Sequence, residues 1–163
     1  MKRHDGLIPL THDHHHALAA LRRLRLAAGE GAADRAAQTG EFLEFFRTET
    51  IAHFREEEEE VFPLIVDASE ANGTIEGVLV EHLRIHAAVR SLRKELDAGA
   101  PSPAVMTRVA SLLESHIRFE EKVVFPLIET IVGAERLASI SLHPRDRTAT
   151  RIFGASLAEG HSP

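Results

Sequence analysis

The chain has 163 residues, 44% hydrophobic and 27% charged, which is enough for one domain with a proper core and too short for two comfortable ones. Its 19 Lys and Arg against 25 Asp and Glu leave a net charge of −6, which argues against nucleic acid or an anionic membrane surface as partner. The absence of cysteine excludes disulfides, thiolate metal sites, iron–sulfur clusters and cysteine nucleophiles, and the absence of tyrosine excludes a tyrosyl radical, whereas eleven His are an excess that asks for a use.

The hydrophobic period is helical nearly throughout and strand signals are missing. The start, MKRHDGLIPL, has no apolar run of signal-peptide length, and no stretch approaches the ~20 residues of a membrane span, so the expected place is the cytoplasm. A first helix is predicted from Leu10 to Ala28, stopped by Gly29 and Gly31, and a second from Asp34 to Ala68. A third starts at Thr74 as N-cap and runs to Gly99. The fourth opens with Ser102 as N-cap and Pro103 in its first turn and continues to Val132, before Gly133. Short connections make successive helices antiparallel neighbours. The expectation is an all-α, up-down-up-down antiparallel four-helix bundle over 1–133 with a C-terminal tail over 134–163, whose stretch HPRDRTATRIFGASLAEGHSP has weak periodicity.

The chain repeats itself. A shift of 63 lays His53–Ile65 on His116–Ile128 with nine of thirteen positions identical, and a shift of 68 lays Asp13–Leu26 on Glu81–Lys94 with six of fourteen identical. Helices one and two therefore resemble helices three and four, and paired sites should face each other across a pseudo-two-fold axis. Pro63 and Pro126, inside helical patterns, are one such pair; a proline there kinks or ends a helix, and the repeat suggests a shared structural role beside the turns that carry His and Glu.

Apolar residues trace stripes at three- and four-residue steps. They run through Leu10, His14, Leu18 and Leu21; through Phe42, Phe46, Glu49, His53, Glu57, Glu60 and Leu64; through Leu79, His82, His86, Val89 and Leu96; and through Val109, Leu112, His116, Glu120, Val123 and Leu127. Every helix thus places at least one His on its core stripe, and two add a Glu one turn on, the spacing that sets two ligands on one face. Five buried His and two buried Glu without a partner would cost several kcal/mol, a cost that a shared cation removes. Of the run Glu56–Glu60, only Glu57 and Glu60 should look inward; the rest is a solvated face. His12, His15 and His16 belong at the surface or rim, and His4, His143 and His161 in solvent.

Imidazole and carboxylate without thiolate suit iron, manganese or zinc, and seven candidates exceed one tetrahedral zinc but serve two adjacent octahedral-type ions sharing carboxylates. Glu-x-x-His, the signature of ferritin-like bundles, does not occur. The ordered set Asp13-His14, His53-x-x-x-Glu57, His82-x-x-x-His86 and His116-x-x-x-Glu120 resembles the hemerythrin-like, or HHE cation-binding, family, over roughly Leu10 to Val132. The resemblance implies a four-helix bundle holding a non-haem di-iron centre with a bridging oxygen, zinc or manganese being possible substitutes, that binds dioxygen or a related small molecule. Oxygen-carrying members place the last carboxylate, an Asp, five residues after its His; here Glu120 stands four on and Glu121 five on. Stripe and repeat favour Glu120, and a local helix bulge would bring in Glu121. The family's iron–sulfur repair branch carries a cysteine-bearing N-terminal domain; these 163 residues contain no cysteine, so a repair role is not the expectation.

Two functional expectations follow: a protein that takes up O2, NO or peroxide for sensing, storage or iron and oxygen homeostasis, and, alternatively, a di-iron oxidase or peroxide scavenger. Small residues near the ligands, Ala17, Ala87 and Ala88, would permit a channel or merely close helix packing. Because the repeat pairs His86 with Leu18, the ion near His82, His86 and His116 should be full. The ion near His14 and His53 should have an open position lined by Leu18.

Overall fold

A computed structural model describes residues 3–71 and 73–140. The last part of the predicted tail, including His143 and His161, lies outside the described residues. Among the described residues every regular element is helical: α1 (Ile8–Ala27), α2 (Ala32–Phe45), α3 (Ile51–Glu56), α4 (Thr74–Asp97), α5 (Pro103–Phe119), α6 (Phe125–Val132) and α7 (Ala134–Ala138), with short 3-10 turns at Asp5–Leu7, Phe62–Leu64 and Ser69–Ala71. None of these helices is long and apolar enough to cross a membrane.

Three π turns, Phe46–Thr50, Glu57–Val61 and Glu120–Val124, join α2 to α3, α3 to the 3-10 turn and α5 to α6. The last two each begin at a glutamate of the inward stripe and each precede a proline. A proline within a helix donates no hydrogen bond, and its ring crowds the carbonyl four residues back. The turn relaxes by widening: the N–H of Phe62 bonds to the carbonyl of Glu57, and that of Phe125 to the carbonyl of Glu120, five residues back in both cases. The predicted second helix ends sooner than Ala68, because the 3-10 turn at Pro63 leads Ile65 into non-helical backbone (φ −130°, ψ −2°).

Ser102 caps α5 as expected, its hydroxyl accepting from the N–H of Val105 at 3.4 Å. Thr74 does not cap α4; Gly73, at φ 74°, holds that position and Thr74 is the first helical residue. α7 opens the predicted tail and packs on the N-terminal 3-10 turn through Leu137, which is buried. Gly6 permits this approach, since a Cβ there would clash with the Leu137 carbonyl.

α1 packs on α2 and α5, and α4 on α5 and α2, so four helical arms close a ring around a core. A buried polar layer of His14, His53, Glu57, His82, His116 and Glu120 crosses it. Apolar residues form separate clusters on the two sides of that layer. One contains Leu10, Val61, Val78 and Val124; the other contains Ala17, Phe54, Ile85 and Ile117.

The inward faces of α1 and α4 depart from the predicted stripes. α1 buries Leu10, His14, Ala17, Leu21 and Leu24, and α4 buries Ile75, Val78, His82, Ile85, Val89 and Leu92. Both alternate steps of four and three, which drift by only about 20° per seven residues on a 3.6-residue helix, whereas each further step of four swings about 40° to the side. Leu18 therefore leaves the inward face and is only partly buried, and His86 and Leu79 are exposed. In the second arm Glu60 is likewise exposed and Glu49 half-buried.

Candidate metal centre

Six side chains from four arms meet in the buried polar layer: His14 from α1, His53 from α3, Glu57 and Glu120 from the first residues of their π turns, His82 from α4 and His116 from α5. None is more than 4% exposed. They form two groupings of the kind that can hold a metal ion, His14–His53–Glu57–Glu120 and Glu57–His82–His116–Glu120, in each of which the candidate ligand atoms lie within 4.8 Å of one another. Both carboxylates are common to the two.

The contacts among these atoms are poor substitutes for hydrogen bonds. The Nε2 atoms of His14 and His53 face each other at 3.0 Å. His53 Nε2 lies 3.3 Å from Glu57, and His14 Nε2 and His116 Nε2 each lie 3.1 Å from Glu120. Both oxygens of Glu57, both of Glu120 and the Nε2 atoms of His82 and His116 are buried without a hydrogen-bond partner. Enclosed carboxylates in that condition are strongly destabilising unless a cation takes up their lone pairs. The protonation of the rings answers the same demand for positive charge. Burial by itself lowers an imidazole pKa, yet Glu57, Asp13 and Glu120 carry His53 up to about 10. Burial likewise opposes, and Glu120, Glu57 and Glu81 outweigh it, in raising His116 to about 9.

Behind each ring stands a further carboxylate on Nδ1. Glu121 holds His14 at 2.7 Å, Asp13 holds His53 at 3.3 Å, Glu58 holds His82 at 2.6 Å and Glu81 holds His116 at 3.0 Å. A carboxylate there makes Nδ1 the protonated nitrogen, leaves the Nε2 lone pair for a metal and fixes the ring plane. The four obey the repeat: Glu58 and Glu121 are 63 apart, Asp13 and Glu81 are 68 apart. Aromatic packing adds to the fixing, since Phe54 stacks on His82 at 3.7 Å and Phe125 on His14 at 5.3 Å.

Three expected site residues thus fall elsewhere. Glu121, five residues after His116, sits outside both groupings, because the π turn starts at Glu120 and keeps that side chain inward. Glu121 instead accepts from Thr11 and from Arg3, which also pairs with Glu129; burial opposes, but His14, Arg3 and Thr11 hold the Glu121 carboxyl down at about 2. His86 stands on the drifting side of α4, its ring edge-on to Phe46 and Phe54 at 5.5 and 5.8 Å, and belongs to neither grouping. Without it each grouping has two His, so the difference in ligand number expected between the two positions is absent. Leu18 packs toward Leu21, Arg22 and Leu26 on an outer groove rather than at the centre. From the sequence, Glu58 belongs to a solvated face and Glu81 has no role, although the repeat pairs them with Glu121 and Asp13.

The model of the hemerythrin HHE cation-binding domain matches residues 6–128. This chain belongs to that family. The hemerythrin match spans all six buried ligand candidates and all four carboxylates behind them. Searches among curated proteins and solved structures returned no match. The chemistry of the hemerythrin-like site fits a cation: imidazole nitrogens and carboxylate oxygens, freed of other partners and converging from four helices.

Proposed function

We propose that this hemerythrin-like domain holds two iron ions, sharing Glu57 and Glu120, and takes up a small molecule of the O2, NO or peroxide class. The observation that carries the reading is the pair of groupings with both carboxylates in common and no hydrogen bond to any of the four carboxylate oxygens. Iron in such a site would supply reversible binding and electron exchange toward these ligands.

On this reading the four arms run up, down, up and down. In support, α1 and α4 pass with rising number from the cluster of Leu10 and Val78 through the polar layer to the cluster of Ala17 and Ile85. The second and fourth arms pass the other way, Phe54 to Val61 and Ile117 to Val124. The bundle then occupies 1–133, and α7 begins the tail 134–163.

A cavity of about 10 Å³, the room of one water-sized molecule, adjoins His14, His53, His116 and Glu120 but neither His82 nor Glu57. It supports uptake on the His14/His53 side, for a reason other than ligand number. Phe54 covers His82, and the residue that the repeat equates with Phe54 is the smaller Ile117, which lines the cavity together with Ala17. So small a space favours a diatomic ligand over an organic substrate.

Elemental analysis, with optical spectra before and after reduction and exposure to O2 or NO, tests the reading. Two ions per chain and a spectrum that responds to the gas are expected. Ile117→Phe should keep both ions and blunt the response. A chain purified without metal and unable to take it up refutes the proposal.

A further inference from the structure

We infer that the Thr50 hydroxyl is the hydrogen-bond donor to the molecule taken up in this cavity, an inference that rests on reading the cavity as the ligand's place. Thr50 lines the cavity and is 5% exposed, and its Oγ1 is enclosed with no partner. A helical threonine ordinarily turns its hydroxyl back on a carbonyl of the preceding turn. Thr48 does so to Glu44 at 3.0 Å, and Thr130 to Pro126 at 2.9 Å. Thr50 does not. It closes the π turn Phe46–Thr50, where the Phe46 carbonyl takes the N–H of Ile51 instead. Thr39 is also enclosed without a partner, but it is not part of the cavity wall.

The repeat sharpens the assignment. Residue 113, which it equates with Thr50, is a leucine inside the regular helix α5, so neither the π turn nor the hydroxyl has a counterpart in the other half. Leu113 lines the same cavity. Besides the candidate ligands, the polar residues of the wall are Asp13, His16, Glu49 and Thr50, and of these only Thr50 is a buried neutral hydroxyl; such a donor suits a small molecule whose outer atom accepts one hydrogen bond, and sets it apart from an equally small apolar gas.

The test uses the full chain loaded with ferrous iron, nitric oxide as probe, and the variants Thr50→Val and Thr50→Ser. Metal content should be the same in all three. Nitric oxide should leave Thr50→Val about tenfold faster than the parent, the effect of one ordinary hydrogen bond, and Thr50→Ser should restore the slow release. Without nitric oxide, Thr50→Val should melt at or above the parent temperature, since it removes an unpartnered buried hydroxyl. Equal release rates from Val and Thr at position 50, with metal bound in both, overturn the assignment of Thr50 alone. So does a melting temperature lowered equally with and without nitric oxide, which would make the hydroxyl a structural partner. A parent chain that holds no metal removes the underlying reading of the site instead.

Discussion

Within a five-residue acidic run, neighbouring glutamates have three different environments. Glu57 is fully buried and common to both groupings, Glu58 holds His82 in place, and Glu59 is exposed and faces Arg55. Substitution should therefore give a graded result in a metal titration: Glu57→Ala loses bound metal, Glu58→Gln weakens it by roughly 10–100-fold through the His82 ring, and Glu59→Ala leaves it unchanged. Equal losses from all three would show that the inward register is wrong. Protons belong to the same scale. With His53 raised to about 10 and His116 to about 9, both rings are charged in the metal-free chain at neutral pH. A raised folded-state pKa stabilises fully below the unfolded value of about 6.5 and is lost as pH climbs through the folded one. The metal-free chain should thus melt at lower temperature as pH rises from about 7 to about 10. Metal affinity should move the other way, because coordination needs neutral rings and releases their protons. Paired melting and titration series across that range check both signs; affinity that strengthens in acid would exclude His ligation.

At the scale of elements, the ligand register depends on how tightly each helix is wound. Steps of three and four cannot be told apart by composition where apolar residues or His occupy both alternatives, as Ala17 and Leu18 do in α1 and Ile85 and His86 do in α4. The sequence alone sets all four of His14, Leu18, His82 and His86 on the inward stripe, whereas the structure buries His14 and His82 and leaves Leu18 partly buried and His86 exposed; the alternating seam decides, and it needs the whole helix. In the second and fourth arms the choice of Glu57 and Glu120 was legible because the repeat chose the same two residues. The prolines were legible as a pair, and their effect is the widened turn ahead of each. Nothing comparable marks Phe46–Thr50, which is followed by no proline, so that turn and the cavity beside it could not be read from the sequence. Pro126→Ala should let the turn at Glu120–Val124 tighten toward an α-helix, which swings its carboxylate by up to one residue's rotation, about 100°. Helix content should hold or rise while metal affinity falls, as circular dichroism and titration would record; unchanged affinity would mean that the proline does not set the turn.

For the whole molecule, the polar layer both divides the apolar core and joins the four arms. Stripped of metal, its buried carboxylates repel one another and retain only protonated rings as counter-charge. Chelation should accordingly lower the melting temperature, and restoring metal should recover it in proportion to the free ion, as expected for a ligand that binds only the folded state. A melting curve indifferent to verified metal removal would leave the layer without its proposed role. Arg3 and α7 contribute as well: Arg3 fastens Glu121 behind His14, and α7 lies on the N-terminal turn at Gly6.

The shifts of 63 and 68 residues have a consequence for symmetry. Two identical helix hairpins meeting about a dyad would be obliged to form two indistinguishable half-sites, and any feature granted to one would be granted to the other. Tethering the halves in one chain lifts that obligation. The first half can carry Phe54 and Thr50 where the second carries Ile117 and Leu113, so the ligand sets stay matched while the walls around them diverge. The candidate centre is symmetric in the side chains that could hold a cation and handed in the walls through which a ligand would approach.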